Sequence, residues 1–128
     1  MMVAGIGSRK GVSVEDVLAA LETALEAHGL AMTAISVLAT AALKKDEGAI
    51  AAAGHTLNLP VVIVDDAALQ AAAPGTLSHS SLSQDLAGTP SVSEASALAV
   101  AGTGAKLLGP RTVLGPVTCA IAISGDAP

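Results

Sequence analysis

The sequence predicts an α/β fold: an open, mostly parallel sheet with helices on both faces, in three layers. Two observations carry this. Short Val- and Ile-rich runs alternate with longer Ala- and Leu-rich stretches of helical period, the order expected of strand–helix–strand units. And 52% of the 128 residues are hydrophobic although Phe, Tyr and Trp are absent. The core must therefore be built from Ala and Leu, which favour helices, and from Val and Ile, which favour strands. The length suits one domain, residues 1–128, with no internal repeat.

The elements follow in order. "MVAGIG" (2–7) reads as a first strand. "SVEDVLAALETALEAHG" (13–29) reads as a helix: Ser13 can cap it, Glu15 and Asp16 suit its positive end, and Val14, Val17, Leu18, Leu21 and Leu25 form an apolar face. His28 and Gly29 end it. "AISVLAT" (34–40) is a second strand and "KDEGAIAAAGHTLN" (45–58) a second helix. "LPVVIVD" (59–65) is nearly all apolar, as in a strand covered on both faces. "DAALQAAA" (66–73) is a short helix. "PGTLSHSSLSQDLAG" (74–88) is a Ser- and Gly-rich loop or lid, with His79 solvent-facing inside it. "SVSEASALAVAG" (91–102) is a further helix, and "KLLGPRTVL" and "VTCAIAI" are two last strands joined as a hairpin through Gly115 and Pro116.

Composition excludes several functions. A net charge of −5 and the missing aromatics argue against nucleic-acid binding. The stretch "GLAMTAISVLATAAL" is too short to span a bilayer, and the start does not read as a targeting segment. A cytoplasmic protein with no membrane association is expected. The single cysteine, Cys119, lies in an apolar run and reads as an inert buried thiol. The three histidines, His28, His55 and His79, lack ligand spacing, so no metal and no cofactor is expected.

"GIGSRKG" (5–11) invites a nucleotide reading, and it fails. Lys10 precedes Gly11 and Val12 follows it, which is not the P-loop order. Gly5, Gly7 and Gly11 are spaced G-x-G-x-x-x-G, one residue too long for the dinucleotide pattern, and the second strand ends at Thr40 without the acid that would hold a ribose. The glycines read instead as a turn, or as a loop where backbone N–H groups approach a ligand.

The six basic residues are Arg9, Lys10, Lys44, Lys45, Lys106 and Arg111. Arg9 and Lys10 follow the first strand and Lys44 and Lys45 the second, so both pairs fall at the carboxyl edge of a parallel sheet, where such folds bind ligands. An acidic chain that gathers cations there suits an anionic ligand. Ion pairing of these cations with Asp46 or Glu47 explains the pattern equally well. In "GTPSVSEASAL" (88–98), Thr89, Ser91 and Ser93 cluster at a helix start, and Glu94 stands three residues after Ser91 in capping-box spacing. The hydroxyls and N–H groups of that start could also take an anion.

The segments "GIGSRKGVSVEDV", "LATAALKKDEGAI", "LNLPVVIVDDAAL", "GTPSVSEASAL" and "VTCAIAI", in that order, resemble the CobE family of cobalamin biosynthesis, which is similar to the C-terminal domain of CbiG. The resemblance covers about residues 3–123. It implies a three-layer α/β domain acting in corrin-ring synthesis. In CbiG-type proteins this domain follows further domains, and the full protein opens a ring lactone of a cobalt-precorrin with release of acetaldehyde. Stand-alone CobE-type proteins are associated with the aerobic pathway. Family members often carry "GIGCRRG", so Ser8 replaces a cysteine and no thiol chemistry operates there.

The implied ligand is a precorrin or corrin, a macrocycle ringed with carboxylates, and other cobalamin-pathway enzymes are candidate partners. Arg9, Lys10 and Lys44 are the expected binding residues. Ser8, Thr89, Ser91 and Glu94 are further candidates. The expected role is a carrier or accessory factor. The alternative is an enzyme acting on a precorrin, with Asp46, Glu47 or Glu94 as general base on water.

Overall fold

The computed structural model describes residues 1–8, 12–41, 48–72, 92–102, 104–109 and 111–124. The chain runs β1 (Met2–Ser8), α1 (Val14–Ala27), a 3₁₀ turn (Met32–Ala34), β2 (Val37–Ala41), α2 (Gly48–Leu57), β3 (Val61–Val64) and α3 (Asp66–Ala72). It continues with α4 (Val92–Ala101), β4 (Lys106–Leu107), β5 (Thr112–Leu114) and β6 (Val117–Ile123).

The local signals act as expected in α1. Ser13 Oγ accepts from the Asp16 N–H at 3.1 Å, and Asp16 Oδ2 accepts from the Ser13 N–H at 3.1 Å, a reciprocal capping box. The helix ends with Gly29 at φ +67°, the Leu30 N–H donating to the Leu25 carbonyl at 2.8 Å and the Gly29 N–H to the Glu26 carbonyl at 3.1 Å. Asn58, at φ +58°, ends α2 in the same way through the Leu59 N–H and the Gly54 carbonyl.

The described strands form one sheet in the order β3-β2-β1-β6-β4, with β5 also pairing β6. β1, β2 and β3 are mutually parallel. β6 returns antiparallel beside β1 over the full length of both, from Met2 opposite Ile123 to Ser8 opposite Val117. The sheet is therefore mixed, parallel on one side of β1 and antiparallel on the other.

Each face of the sheet carries its own core. Ala4, Ile6, Leu38, Val117, Cys119 and Ile121 pack under α1 and α2 with Val17, Leu21, Leu25 and Ile50. Val3, Val37, Ala39, Ala41 and Ala122 pack under α3 and α4 with Leu69, Ala95, Ala97 and Leu98. Alternate residues of β1 and β6 thus serve opposite layers.

Two elements differ from the sequence expectation. Among the described strands β3 lies at the sheet edge, and Val62 and Ile63 are 39% and 45% exposed, so its apolar run is not covered on both faces. The strand expected over 106–114 is split into β4 and β5. Leu107 pairs with Ala122 and Thr112 with Cys119, so the register against β6 differs by two residues between the two short strands, while the Leu108 N–H still donates to the Ile121 carbonyl at 2.9 Å.

Candidate functional site

The carboxyl end of β1 is held from both sides. Thr40 Oγ1 of β2 donates to the Ile6 carbonyl at 2.9 Å, and Thr118 Oγ1 of β6 donates to the Gly7 carbonyl at 3.4 Å. Because β1 and β2 are parallel, their last residues, Ser8 and Ala41, reach the same edge of the sheet.

Gly5 and Gly7 lie inside β1, facing α4. A Cβ on Gly5 would collide with the Ser93 carbonyl oxygen and stand 2.9 Å from Ala97 Cβ, and one on Gly7 would stand 2.7 Å from Thr118 Oγ1. These two glycines therefore correct the loop reading. They lie within the strand and not in a turn, and Gly5 lets the first turns of α4 rest on the strand backbone. Gly11 lies outside the described residues.

At this same edge a cleft of about 290 Å³ opens between the end of β1, the start of α4 and the β5–β6 hairpin. Gly7, Ser8, Val92, Arg111, Gly115 and Pro116 border it. Arg111 stands just before β5, where the pairing with β6 resumes at Thr112. Its backbone N–H donates to Glu94 Oε2 at 3.1 Å. Glu94, in the first turn of α4, is 0% exposed. A carboxylate in that turn is favoured by the helix dipole, and the charge-assisted bond to a backbone N–H offsets part of its desolvation.

Cys119, opposite Thr112 on β6, is fully buried in the α1 layer. Burial pushes its thiol up from 9.0 to about 12. It stays protonated at neutral pH, matching the expected inert thiol.

The family described as Cobalamin synthesis G C-terminus is matched by residues 2–122. The chain belongs to this family. Among relatives of this cobalamin synthesis G C-terminal domain, protein CobE from a Sinorhizobium species is 31% identical over 121 residues, covering 94% of this chain and 79% of that protein. The crystal structure of CobE, a protein from the cobalamin (vitamin B12) biosynthetic pathway, superposes with a TM-score of 0.87 at 36% identity, covering 95% of this chain and 89% of that one. The crystal structure of cobalamin biosynthesis protein chiG from Agrobacterium tumefaciens str. C58 gives a TM-score of 0.79 at 47% identity, covering 98% of this chain and 100% of that one. The protein is thus a cobalamin-biosynthesis protein with the α/β fold of CobE. Among the described residues, no helix is long and apolar enough to cross a membrane.

Of the site residues expected for a CobE-type protein, Ser8 and Glu94 are described. Ser8 ends β1 and borders the cleft. It is 8% exposed, and its Oγ has no hydrogen-bond partner among the described residues. Glu94 stands behind Arg111 and does not border the cleft. Arg9, Lys10, Lys44, Thr89 and Ser91 lie outside the described residues, as do Asp46, Glu47 and His79. Arg111 is the residue that sequence reasoning passed over. The Gly-Pro pair just before it, at 109–110, was the available sign that the strand would break there.

Proposed function

We propose that this protein binds a carboxylate-rich precorrin or corrin intermediate at the carboxyl edge of β1 and β2, in the cytoplasm, and holds or hands on that intermediate as a carrier or accessory factor. The supporting observation is the parallel pairing of β1 with β2, which brings Ser8 and Ala41 to one edge. Arg9 and Lys10 follow the first of these in sequence, and Lys44 follows the second closely. In a chain of net charge −5, cations gathered at one edge lower the repulsion that an anionic macrocycle would otherwise meet. Ser8, Thr89 and Ser91 complete the proposed site as hydrogen-bond partners.

The burial of Glu94 counts against this residue as a general base. Among the described residues it is the candidate general base, yet it is fully buried and accepts a backbone N–H. A base must reach the water it activates.

The test uses the missing aromatics. The protein scarcely absorbs in the near ultraviolet, whereas corrinoids are coloured. Hydrogenobyrinic acid mixed with the protein and passed through gel filtration is expected to carry visible colour with the protein peak, and an Arg9→Ala variant to carry less. Colour that elutes only as free ligand would reject this reading. A change in ligand mass at catalytic amounts of protein would replace the carrier role with an enzymatic one.

A further inference from the structure

We propose that the open edge of β3 is a self-association surface, at which two copies of this chain pair their β3 strands antiparallel about a two-fold axis through Val62. The partner is a second copy of this chain, and the pairing does not depend on the ligand reading above.

The backbone presents an edge ready for a further strand. β3 ends the described sheet and pairs with β2 alone. Leu38 stands in register with Val61, and its N–H donates to the Pro60 carbonyl at 2.9 Å. In a parallel ladder such a residue bonds to the two neighbours of its opposite number. Val62 therefore turns its N–H and C=O toward β2, while Val61 and Ile63 turn theirs outward. Among the described residues no hydrogen bond takes up those outward groups.

The side chains match the edge to itself. Val62 shares a face with Val64, in the α3 and α4 layer, and Ile63 shares the opposite face with Val61, in the α1 and α2 layer. With the axis at Val62, Val62 meets the partner's Val62 on one face and Ile63 meets the partner's Val61 on the other. β-branched pairs of this kind stabilise a ladder. Val62 and Ile63 also wall a hollow of about 320 Å³ with Asp65, Ala68 and Val100, so the surface continues from the strand onto α3 and α4.

Charge selects the orientation. Val61–Val64 carries no charge, Asp65 and Asp66 follow it, and the uncharged Asn58, Leu59 and Pro60 precede it. Antiparallel pairing sets Asp65 opposite the partner's Leu59. Parallel pairing would set it against the partner's Asp65, a like-charge contact. The Asp65 carboxylate is also engaged within its own chain, accepting the Ala68 N–H at 2.8 Å. The opposite edge of the described sheet suits strand addition less. It is divided between β4, two residues long and headed by the exposed Lys106, and β5, three residues long and followed by the Gly115–Pro116 turn. Short strands, Lys and Pro guard an edge, and Val61–Val64 contains neither Lys nor Pro.

Sedimentation velocity of the protein without ligand, from about 5 µM to about 1 mM, tests the pairing. Wild type is expected to pass reversibly from the mass of one chain to that of two, with a Kd of about 10–100 µM, because a four-residue strand pairing is a small interface. Val62→Lys and Ile63→Lys, at positions exposed in the protomer, should stay monomeric at every concentration with unchanged far-ultraviolet circular dichroism. Val113→Lys, on the opposite edge and 60% exposed, should dimerise as wild type does. Wild type that is monomeric throughout would overturn the proposal and leave the edge to a strand of a different protein. A dimer that survives both β3 lysine variants, or growth beyond two chains, would overturn it as well. The axis is tested by disulfide formation in Val62→Cys and Ile63→Cys, the native Cys119 being buried. Val62→Cys should cross-link at least about tenfold faster, since a non-hydrogen-bonded antiparallel pair brings its Cα atoms to about 4.5 Å. Equal rates, or faster cross-linking through Ile63→Cys, would overturn the axis at Val62.

Discussion

At Cys119 a single atom reports on the whole fold. The thiol is buried, and its pKa is pushed up to about 12 because burial disfavours the thiolate. The folded chain therefore keeps a proton that the unfolded chain releases above about 9. Stability is unaffected by this group below that value, and it falls as pH rises from about 9 toward 12, by up to about 1.4 kcal/mol per unit. The chain has no Tyr, so the lysines are the other side chains that titrate in that window. Urea unfolding across the window should show a shallower decline in Cys119→Ala, and equal slopes in both proteins would contradict the assignment. Gly5 gives a second test. Its Cβ would strike the Ser93 carbonyl, a backbone atom that cannot rotate away. Gly5→Ala should destabilise by about 1–3 kcal/mol in urea unfolding, as overpacking does. The inert thiol was legible in the sequence because an apolar run around a lone cysteine suffices. The role of Gly5 was not, since it depends on a helix 88 residues further along the chain that only the fold lays across β1.

Among the elements, α1 is the one whose sequence says nearly everything. Its cap, acidic first turn, apolar stripe and terminal glycine all act within a few residues of one another, and all are realised. Ser13→Ala should cost about 1 kcal/mol. Asp16→Ala should cost part of the same energy, and the double variant less than the sum, because both side chains serve one box. Additive losses in thermal unfolding would mean that the two hydrogen bonds act separately. β3 and the 106–114 segment were less legible for a physical reason. "VVIV" suits any buried or half-buried strand, and its place at the sheet edge is set by strand order, which local pattern does not encode. The break after β4 depends on register against β6, a long-range property as well. Arg111 was missed with it, because its N–H reaches Glu94 only once that register has slipped.

At the scale of the molecule, the order β3-β2-β1-β6-β4 makes β1 and β6 the centre of the fold. They pair along seven residue positions, from Met2 with Ile123 to Ser8 with Val117, and each sends alternate side chains into the two cores. The sequence foretold the layers but placed its weight on parallel pairing. The antiparallel return of β6 beside β1 is what closes the two cores onto the same strands, and it brings the hairpin to the carboxyl edge. Among the described strands the edges lack this double support: β3 has four residues and pairs with β2 alone, and β4 has two. Amide hydrogen exchange should therefore be slowest at Val3–Gly7 and Thr118–Ala122, close to the rate of global unfolding, and clearly faster in β3 and β4. Ile63→Lys, at an exposed edge position, should change stability by less than about 0.5 kcal/mol. Ile121→Lys, at 1% exposure in the central strand, should prevent folding, since the cost of burying an unpaired ammonium exceeds the whole stability of a domain this size. Uniform exchange along the sheet, or a folded Ile121→Lys variant, would show that β1 and β6 are not the centre of its stability.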